Sequence, residues 1–328
     1  MSYAIRFSLL NQQNSKPALH WADGLLLCVA LFWGANFAAV KFGLAEIPPL
    51  IFNALRYFIA ALVMLSVVIG SGQFARLERK HLLYLIVIGV LGNTGYPLFF
   101  IYGLNATSAD NAAMILSTAP IWVVLIGTFL KMERLSKEGW FAVIFSVFGI
   151  LLVILGGRHQ TDLQFGGATL LGDMMVIGAV LCWSGYTLAL RPLTSIYSPG
   201  LISALGTSIG ILPMVLLAVP SMMLFTWQNV SLAAWTSLVV TGVFAVGLAY
   251  LFWGYGVAHL GGTRTSLYLN VVPPIALLVN WLWLGETLTW LQWIGAIIAL
   301  SGVAVARRHT AQLPSHFLDR LAGIKLET

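Results

Sequence analysis

Ten stretches of this chain, at about 21–44, 48–70, 81–104, 110–131, 138–156, 170–191, 198–225, 232–258, 264–285 and 289–307, are each apolar over enough residues to cross a bilayer. The hydrocarbon core is roughly 30 Å thick and a helix rises about 1.5 Å per residue, so about 20 such residues make one span. Lipid cannot hydrogen-bond a bare backbone, so segments of this kind are expected to be helical. The charge content agrees. Only 9% of the 328 residues are charged and 59% are hydrophobic, whereas a soluble domain carries about 25% charged residues. There is too little charge to clothe a water-facing surface, which excludes a soluble enzyme. The expected fold class is therefore all-α integral membrane, with ten transmembrane helices and almost no extramembrane mass.

Cations set the expected orientation. With the N-terminus inside, fourteen Lys and Arg residues fall on the cytoplasmic side, from Arg6 and Lys16 through Arg307, Arg308, Arg320 and Lys325. Lys41 and Arg158 fall outside, and Arg56 is left within a helix. That asymmetry follows the positive-inside rule and places both termini in the cytoplasm, with an even helix count, in a cell inner (plasma) membrane. The net charge of +6 is spread between apolar runs instead of forming one patch, so no nucleic-acid partner is implied. Cys28 and Cys182 lie inside apolar runs with no CxxC pair, which disfavours a disulfide framework or a metal site. Residues 1–20 form a polar tail without the continuous apolar core of a cleavable signal, and are expected to be retained.

An internal repeat narrows the fold further. Asp23, Trp33 and Lys41 recur 150 positions later as Asp173, Trp183 and Arg191. Beyond them the offset is 153. Tyr102-Gly103 matches Tyr255-Gly256, Pro120 matches Pro273, and Glu133-Arg134-Leu135-Ser136 matches Glu286-Thr287-Leu288-Thr289. Chance similarity between apolar segments does not keep rare residues at one near-constant offset across five helices. Five is odd, so the second copy would enter the membrane upside down. Secondary transporters are built this way, with the substrate site near the midplane between the repeats. The expected domains are a 1–20 tail, a first repeat at 21–156, a second at 170–308, and a C-terminal tail at 309–328.

The segments WGANFAAVKFGL (33–44) and PPLIFNALRYFIAAL (48–62) resemble the start of an EamA-type domain. TSADNAAMILSTAPIWVVLIGTFLKMERLS (107–136) and GWFAVIFSVFGILLVILG (139–156) resemble its end, as does SLYLNVVPPIALLVNWLWLGETLTWLQWIGAIIALSGVAV (266–305) in the second half. The resemblance covers roughly residues 20–308 and implies the drug/metabolite transporter superfamily, with ten helices and two EamA domains. Members mostly export small polar or amphiphilic metabolites, amino acids among them, and some import. One departure stands out: the position matching Arg56 is Gly206, so any role of Arg56 is not paired by symmetry.

Arg56 is the one cation well inside a run, about two turns from its end. A charge there is costly unless it faces water or a partner; snorkelling, or pairing with Glu46 or a helix-end carbonyl, are the structural alternatives. All eleven carboxylates sit at helix ends, in loops or in tails, so a carboxylate-driven proton antiport is disfavoured and exchange or facilitated diffusion is expected. Asp23 and Asp173 are read as helix N-terminal charges favourable with the dipole. Ser136 and Thr289 are expected to be N-caps, and Thr289 to Gln292 fits a capping box. Pro97, Pro120 and Pro273 sit inside runs, where a missing N–H breaks a helix. Such breaks persist in a membrane only where protein or a water-filled cavity satisfies the backbone, which points to a cavity lined by these three prolines. Polar and aromatic side chains expected to bind the solute are Trp33, Asn36, Arg56, Asn93, Tyr96, Ser117, Trp183, Tyr186, Tyr250 and Asn270. Trp33 pairs with Trp183, and Ser117 with Asn270, around the repeat axis.

No Walker-type, HExxH or GxSxG motif occurs, so neither ATP hydrolysis nor an intramembrane hydrolase is indicated, and no cofactor is called for. The expected function is a secondary transporter that exports a small metabolite such as an amino acid or related amphiphile. An importer using the same cavity is left open, as is a non-transporting membrane sensor or assembly factor; an integral membrane enzyme would lack paired acid–base groups. The expected partners are a small-molecule substrate and the lipid bilayer, with oligomeric state unspecified. In the tail, Phe317, Leu318, Leu321 and Ile324 line one face of a short helix expected at 315–326 along the cytoplasmic interface, flanked by Arg320 and Lys325.

Overall fold

A computed structural model describes residues 20–107, 112, 115–156, 170–284 and 289–312. The tail helix expected at 315–326 and most of the N-terminal tail lie outside the described residues. All ten apolar runs contain helix. In chain order the helices are α1 (Trp21–Leu44), α2 (Pro49–Gly70), α3 (Arg79–Val90) continued by α4 (Tyr96–Ala106), α5 (Ala119–Phe129), α6 (Lys137–Leu155), α7 (Leu170–Thr194), α8 (Pro199–Leu224), α9 (Leu232–Val240) continued by α10 (Ala249–Leu260), the short α11 (Gly262–Ser266), α12 (Val272–Leu284) and α13 (Trp290–Ala306). Among the described residues six continuous helices are long and apolar enough to cross a membrane: Pro49–Gly70, Arg79–Gly103, Lys137–Leu155, Leu170–Thr194, Pro199–Leu224 and Leu232–Leu260. Their outer faces carry exposed large apolar side chains such as Leu83, Leu216 and Leu224, as a lipid-facing surface requires.

One feature departs from an all-α expectation. Strands β1 (Glu133–Leu135) and β2 (Thr310–Gln312) form a small antiparallel sheet that ties the turn before α6 to the segment after α13. Thus the first residues of the expected C-terminal tail are anchored to the helical body.

The sequence repeat reappears as a repeat of contacts. Helix α1 packs on α9–α10 and α12, and its counterpart α7 packs on α4 and α5. Helix α2 packs on α8 and on the segment between α9 and α10; α8 packs on α2 and α3. Helices α6 and α13 pack on each other. Glycines make these approaches possible. A methyl on Gly149 would meet Gly295 and Ala299, and one on Gly302 would meet Ala142 and Ser146. Those two sets are equivalent under the 153 offset, and they pair ascending positions of α6 with descending positions of α13. The repeat-equivalent helices α6 and α13 therefore run antiparallel to each other. Gly89 meets the Gly206 backbone, just as its equivalent Gly242 meets the Arg56 carbonyl.

Local signals decide the helix ends. The Ser136 hydroxyl accepts from the Gly139 N–H at 3.2 Å, making it the N-cap of α6. At α13 the Gln292 side chain accepts from the Thr289 N–H at 2.9 Å, and the Gln292 N–H donates back to Thr289 Oγ1 at 3.3 Å. This is the reciprocal capping box read from the sequence.

Candidate functional site

Helices α1 and α7 bring their equivalent tryptophans together where the two halves meet. The Trp33 and Trp183 rings lie edge to face, 5.4 Å apart, and Trp253 of α10 lies 5.3 Å from the first and 5.2 Å from the second. Trp183 also contacts Tyr96 at 5.0 Å, Tyr186 at 5.3 Å and Tyr250 at 5.4 Å. Spacings of this size are those of interacting aromatic pairs. Trp183 is the hub of an aromatic cluster drawn from both repeats.

Two π-helical turns position this cluster. They occupy Leu91–Gly95, between α3 and α4, and Thr241–Leu248, between α9 and α10, at equivalent places in the two repeats. A π turn loosens the usual i→i−4 ladder and is often found at functional sites. Trp33 Nε1 donates to the Ala245 carbonyl inside the second turn at 2.8 Å. At the equivalent Gly92, a side chain would collide with the Tyr186 ring, so glycine lets that ring lie on the backbone. The Tyr250 hydroxyl reaches to 3.5 Å from the Gly92 carbonyl and 2.9 Å from the Tyr57 hydroxyl. Trp253 Nε1 donates to Thr187 Oγ1 at 3.2 Å.

Several polar atoms in and beside the cluster are buried without a hydrogen-bond partner: Trp183 Nε1, Asn36 Oδ1, Asn93 Nδ2 and Arg56 Nε. Leaving such groups unpaired costs about 1–3 kcal/mol each, and more for a charged group. Each such atom calls for an explanation, such as a bound water, ion or ligand. Arg56 lies over the Tyr57 ring, 5.9 Å from its centroid, and within electrostatic reach of Tyr96. The alternative partner considered for it, Glu46, is engaged elsewhere: its carboxylate accepts from the Ser231 N–H at 2.6 Å and the Ser231 hydroxyl at 2.7 Å. Those two bonds hold the exposed Glu46 carboxyl below the usual range.

Of the residues expected at the site, the aromatic cluster unites Trp33, Tyr96, Trp183, Tyr186 and Tyr250, with Arg56 joined through Tyr57. Asn36 stands one turn along α1 from Trp33, at the position equivalent to Tyr186. Asn93 is buried and accepts from the Thr207 hydroxyl at 3.0 Å, tying its π turn to α8. Asn270 is drawn to a different neighbourhood. Its amide donates to Ser146 Oγ at 2.8 Å, which donates to the Ala299 carbonyl at 2.9 Å, bracing the α6–α13 pair. Its equivalent Ser117 stands just before the turn at Thr118. Pro120 and Pro273 fall at helix starts, whereas Pro97 lies inside the continuous Arg79–Gly103 helix, just after its π turn. Pro120 opens α5 after the turn at Thr118, and Pro273 opens α12 after a 3-10 step at Leu267–Val271. A first-turn N–H has no helical partner to lose, so proline is at home there; the interruption lies one or two residues earlier.

Sequence reasoning passed over Trp253 and Tyr57. The equivalent of Trp253 is Phe100, so repeat pairing did not raise it. Its spacing did carry a signal, because Trp253 lies three residues beyond Tyr250 and shares its helix face.

Asp23 lies in the first turn of α1, as expected of a helix N-terminal charge, and it is also fully buried. Its carboxylate accepts from Arg264 at 2.6 Å, the Tyr268 hydroxyl at 2.7 Å and the His20 N–H at 2.9 Å. The equivalent Asp173 is also buried and accepts from the Thr107 hydroxyl at 2.5 Å. Both acids bind a neighbouring helix as well as complementing their own.

Comparison with known proteins agrees with this architecture. Residues 20–155 and 170–308 each match the EamA-like transporter family. The chain is 26% identical over 285 residues to the uncharacterized transporter YyaM of Bacillus subtilis, covering 86% of this chain and 92% of that one. It is 24% identical to a probable terminal-alkyne amino-acid exporter of Streptantibioticus cattleyicolor, over 88% of this chain and 93% of the other. It is also 24% identical to a probable amino-acid metabolite efflux pump of Escherichia coli, over 86% and 94%. A solved crystal structure superposes with a TM-score of 0.73 at 20% identity, covering 87% of this chain and 96% of the other; it shares the fold.

Proposed function

The chain belongs to the EamA-like transporter family, and from that premise we propose that it is a secondary transporter that exports a small metabolite such as an amino acid or a related amphiphile. In this reading ten helices cross the cell membrane as two inverted five-helix repeats, with both termini in the cytoplasm where the cations concentrate. The observation that carries it is the aromatic cluster: Trp33 and Trp183, equivalent in the two repeats, meet between two equivalent π turns. Repeat interfaces are where secondary transporters hold their solutes. Aromatic walls with a few fixed polar groups suit a small amphiphile. Two relatives whose names describe export of amino acids or their metabolites support the direction and the solute class.

The carboxylates described near the repeat ends, Asp23 and Asp173, have hydrogen-bond partners, so coupling is assigned to exchange or to flow down the solute gradient. Proteoliposome flux tests the function. Radiolabelled amino acids and aromatic metabolites should move down their gradient faster than through empty vesicles, and Trp183→Ala should abolish that flux. Flux that needs an imposed pH gradient would refute the coupling. The absence of flux for every solute tested would favour a non-transporting role.

A further inference from the structure

Arg56 stands in α2, and among the described residues it has no counter-charge. Among the described residues the ion pairs are Lys80 with Glu78 and Arg264 with Asp23, and Arg56 makes neither a hydrogen bond nor an ion pair. Its Nε is buried and unpaired. Glycine at 242 brings the backbone of the facing π turn against the Arg56 carbonyl, where an added methyl would sit 3.0 Å from that oxygen. The Tyr57 ring lies 5.9 Å from the guanidinium carbon and leads into the aromatic cluster through Tyr250 at 5.9 Å; Tyr96, within electrostatic reach of Arg56, joins it through Trp183 at 5.0 Å. The repeat offers no second charge, because the position equivalent to Arg56 is Gly206.

Aromatic faces lower the cost of a cation but do not neutralise it. An arginine at this depth is expensive without a partner, so one is expected, and no carboxylate of the described residues supplies it. We propose that the missing partner is the solute: Arg56 binds the single carboxylate of an amphiphile whose apolar or aromatic body rests on the Trp183 cluster. This inference rests on the transport-site reading above and narrows its substrate class. The planar guanidinium fork fits a carboxylate's two oxygens. A single arginine matches one negative charge, so dianions would carry an uncompensated charge into the site and organic cations would be repelled. A lipid phosphate offers the same oxyanion chemistry, and the test separates the two sources.

The probes are radiolabelled phenylacetate and its neutral isostere phenylacetamide, bound by equilibrium dialysis to the full chain in nanodiscs of phosphatidylcholine. The wild-type protein should prefer the carboxylate by roughly tenfold to a hundredfold, the range for a hydrogen bond to a charged group. Arg56→Gln should bring the two ligands to parity, and a monodisperse size-exclusion profile equal to wild type shows that the variant folds. Arg56→Lys should retain part of the preference. Trp183→Ala should weaken both ligands together. Equal binding of the two ligands by wild type, or a preference that survives Arg56→Gln, would overturn the role of Arg56 and leave the aromatic site standing. If neither ligand binds, the site reading fails and this inference fails with it. If phosphatidylglycerol in the nanodisc suppresses the carboxylate preference, lipid phosphate is the counter-ion and the proposal is overturned.

Discussion

The two repeats are nearly interchangeable in backbone and quite different in side chain. Gly89 and Gly242 hold equivalent close approaches, as do Gly149 and Gly302, and both halves carry a π turn at the same place. Yet Tyr250 in one half answers to Pro97 in the other, Tyr186 to Asn36, and Arg56 to Gly206. Close backbone approaches recur because both halves pack the same helices through glycines. Under the proposed transport function, side chains at the centre are free to differ because one solute, which has no two-fold symmetry, is held there. The ends differ as well. Asp23 is locked by the Arg264 guanidinium, whereas its counterpart Asp173 accepts a Thr107 hydroxyl, and the position equivalent to Arg264 is Asn111.

Breaking the shared backbone should cost most. Gly210 faces the Gly89 backbone too closely for any side chain, so Gly210→Leu should leave no monodisperse protein by fluorescence-detected size exclusion. Gly24→Ala, with open space at its Cα, should behave as wild type. If both variants behave alike, close helix approach is not what holds the halves together.

The unequal ends predict unequal losses. Asp23→Asn strands Arg264 in a half-buried site, which should cost on the order of 3–5 kcal/mol. Asp173→Asn should cost about 1 kcal/mol, and thermal melting in detergent ranks the two. Equal shifts would show that the Asp23–Arg264 pair is not the stronger clasp.

The two caps are a smaller contrast. Thr289→Ala removes the arm of the capping box that the Gln292 N–H makes to the hydroxyl, and the hydroxyl's bond to the Gly156 carbonyl, while the Thr289 N–H still reaches Gln292; Ser136→Ala removes one N-cap bond. Each should cost about 1 kcal/mol, the first more than the second.

The smallest effect expected is one of pH. Glu46 is held ionised by Ser231, so its carboxyl titrates below its ordinary value. That clasp is complete above the ordinary glutamate pKa, about 4.3, and is lost only as pH falls through the lowered value. The protection factor of the Ser231 amide, measured against its intrinsic exchange rate at each pH, should therefore hold from neutral pH down through the ordinary glutamate pKa and fall only below it. Glu46→Gln should lower it throughout. An unprotected amide in wild type at neutral pH would contradict the clasp.

Much of this molecule follows from one-dimensional pattern. Helix positions follow because lipid forbids unpaired backbone, so any apolar run of sufficient length must satisfy itself. Both caps were legible, since a cap depends on residues three apart. The pairing of Trp33 with Trp183 was legible too, because the repeat offset supplied the long-range relation that sequence ordinarily lacks.

Tertiary structure decided the rest. Asp23 reads as a helix-start charge, but its partner Arg264 lies 241 residues away, and no local rule reaches that far. Asn270 appeared to share the site by symmetry until Ser146, on a helix packed against it, claimed its amide. Prolines announced breaks, but whether the chain answers with a π turn, a plain turn or a 3-10 step depends on what packs beside it. Sequence determined which segments are helices and that two halves repeat, because those follow from period and composition. Which polar groups find partners, and which, like Arg56 Nε, are left without one among the described residues, was settled only when the halves packed, because pairing depends on distances between residues far apart in the chain.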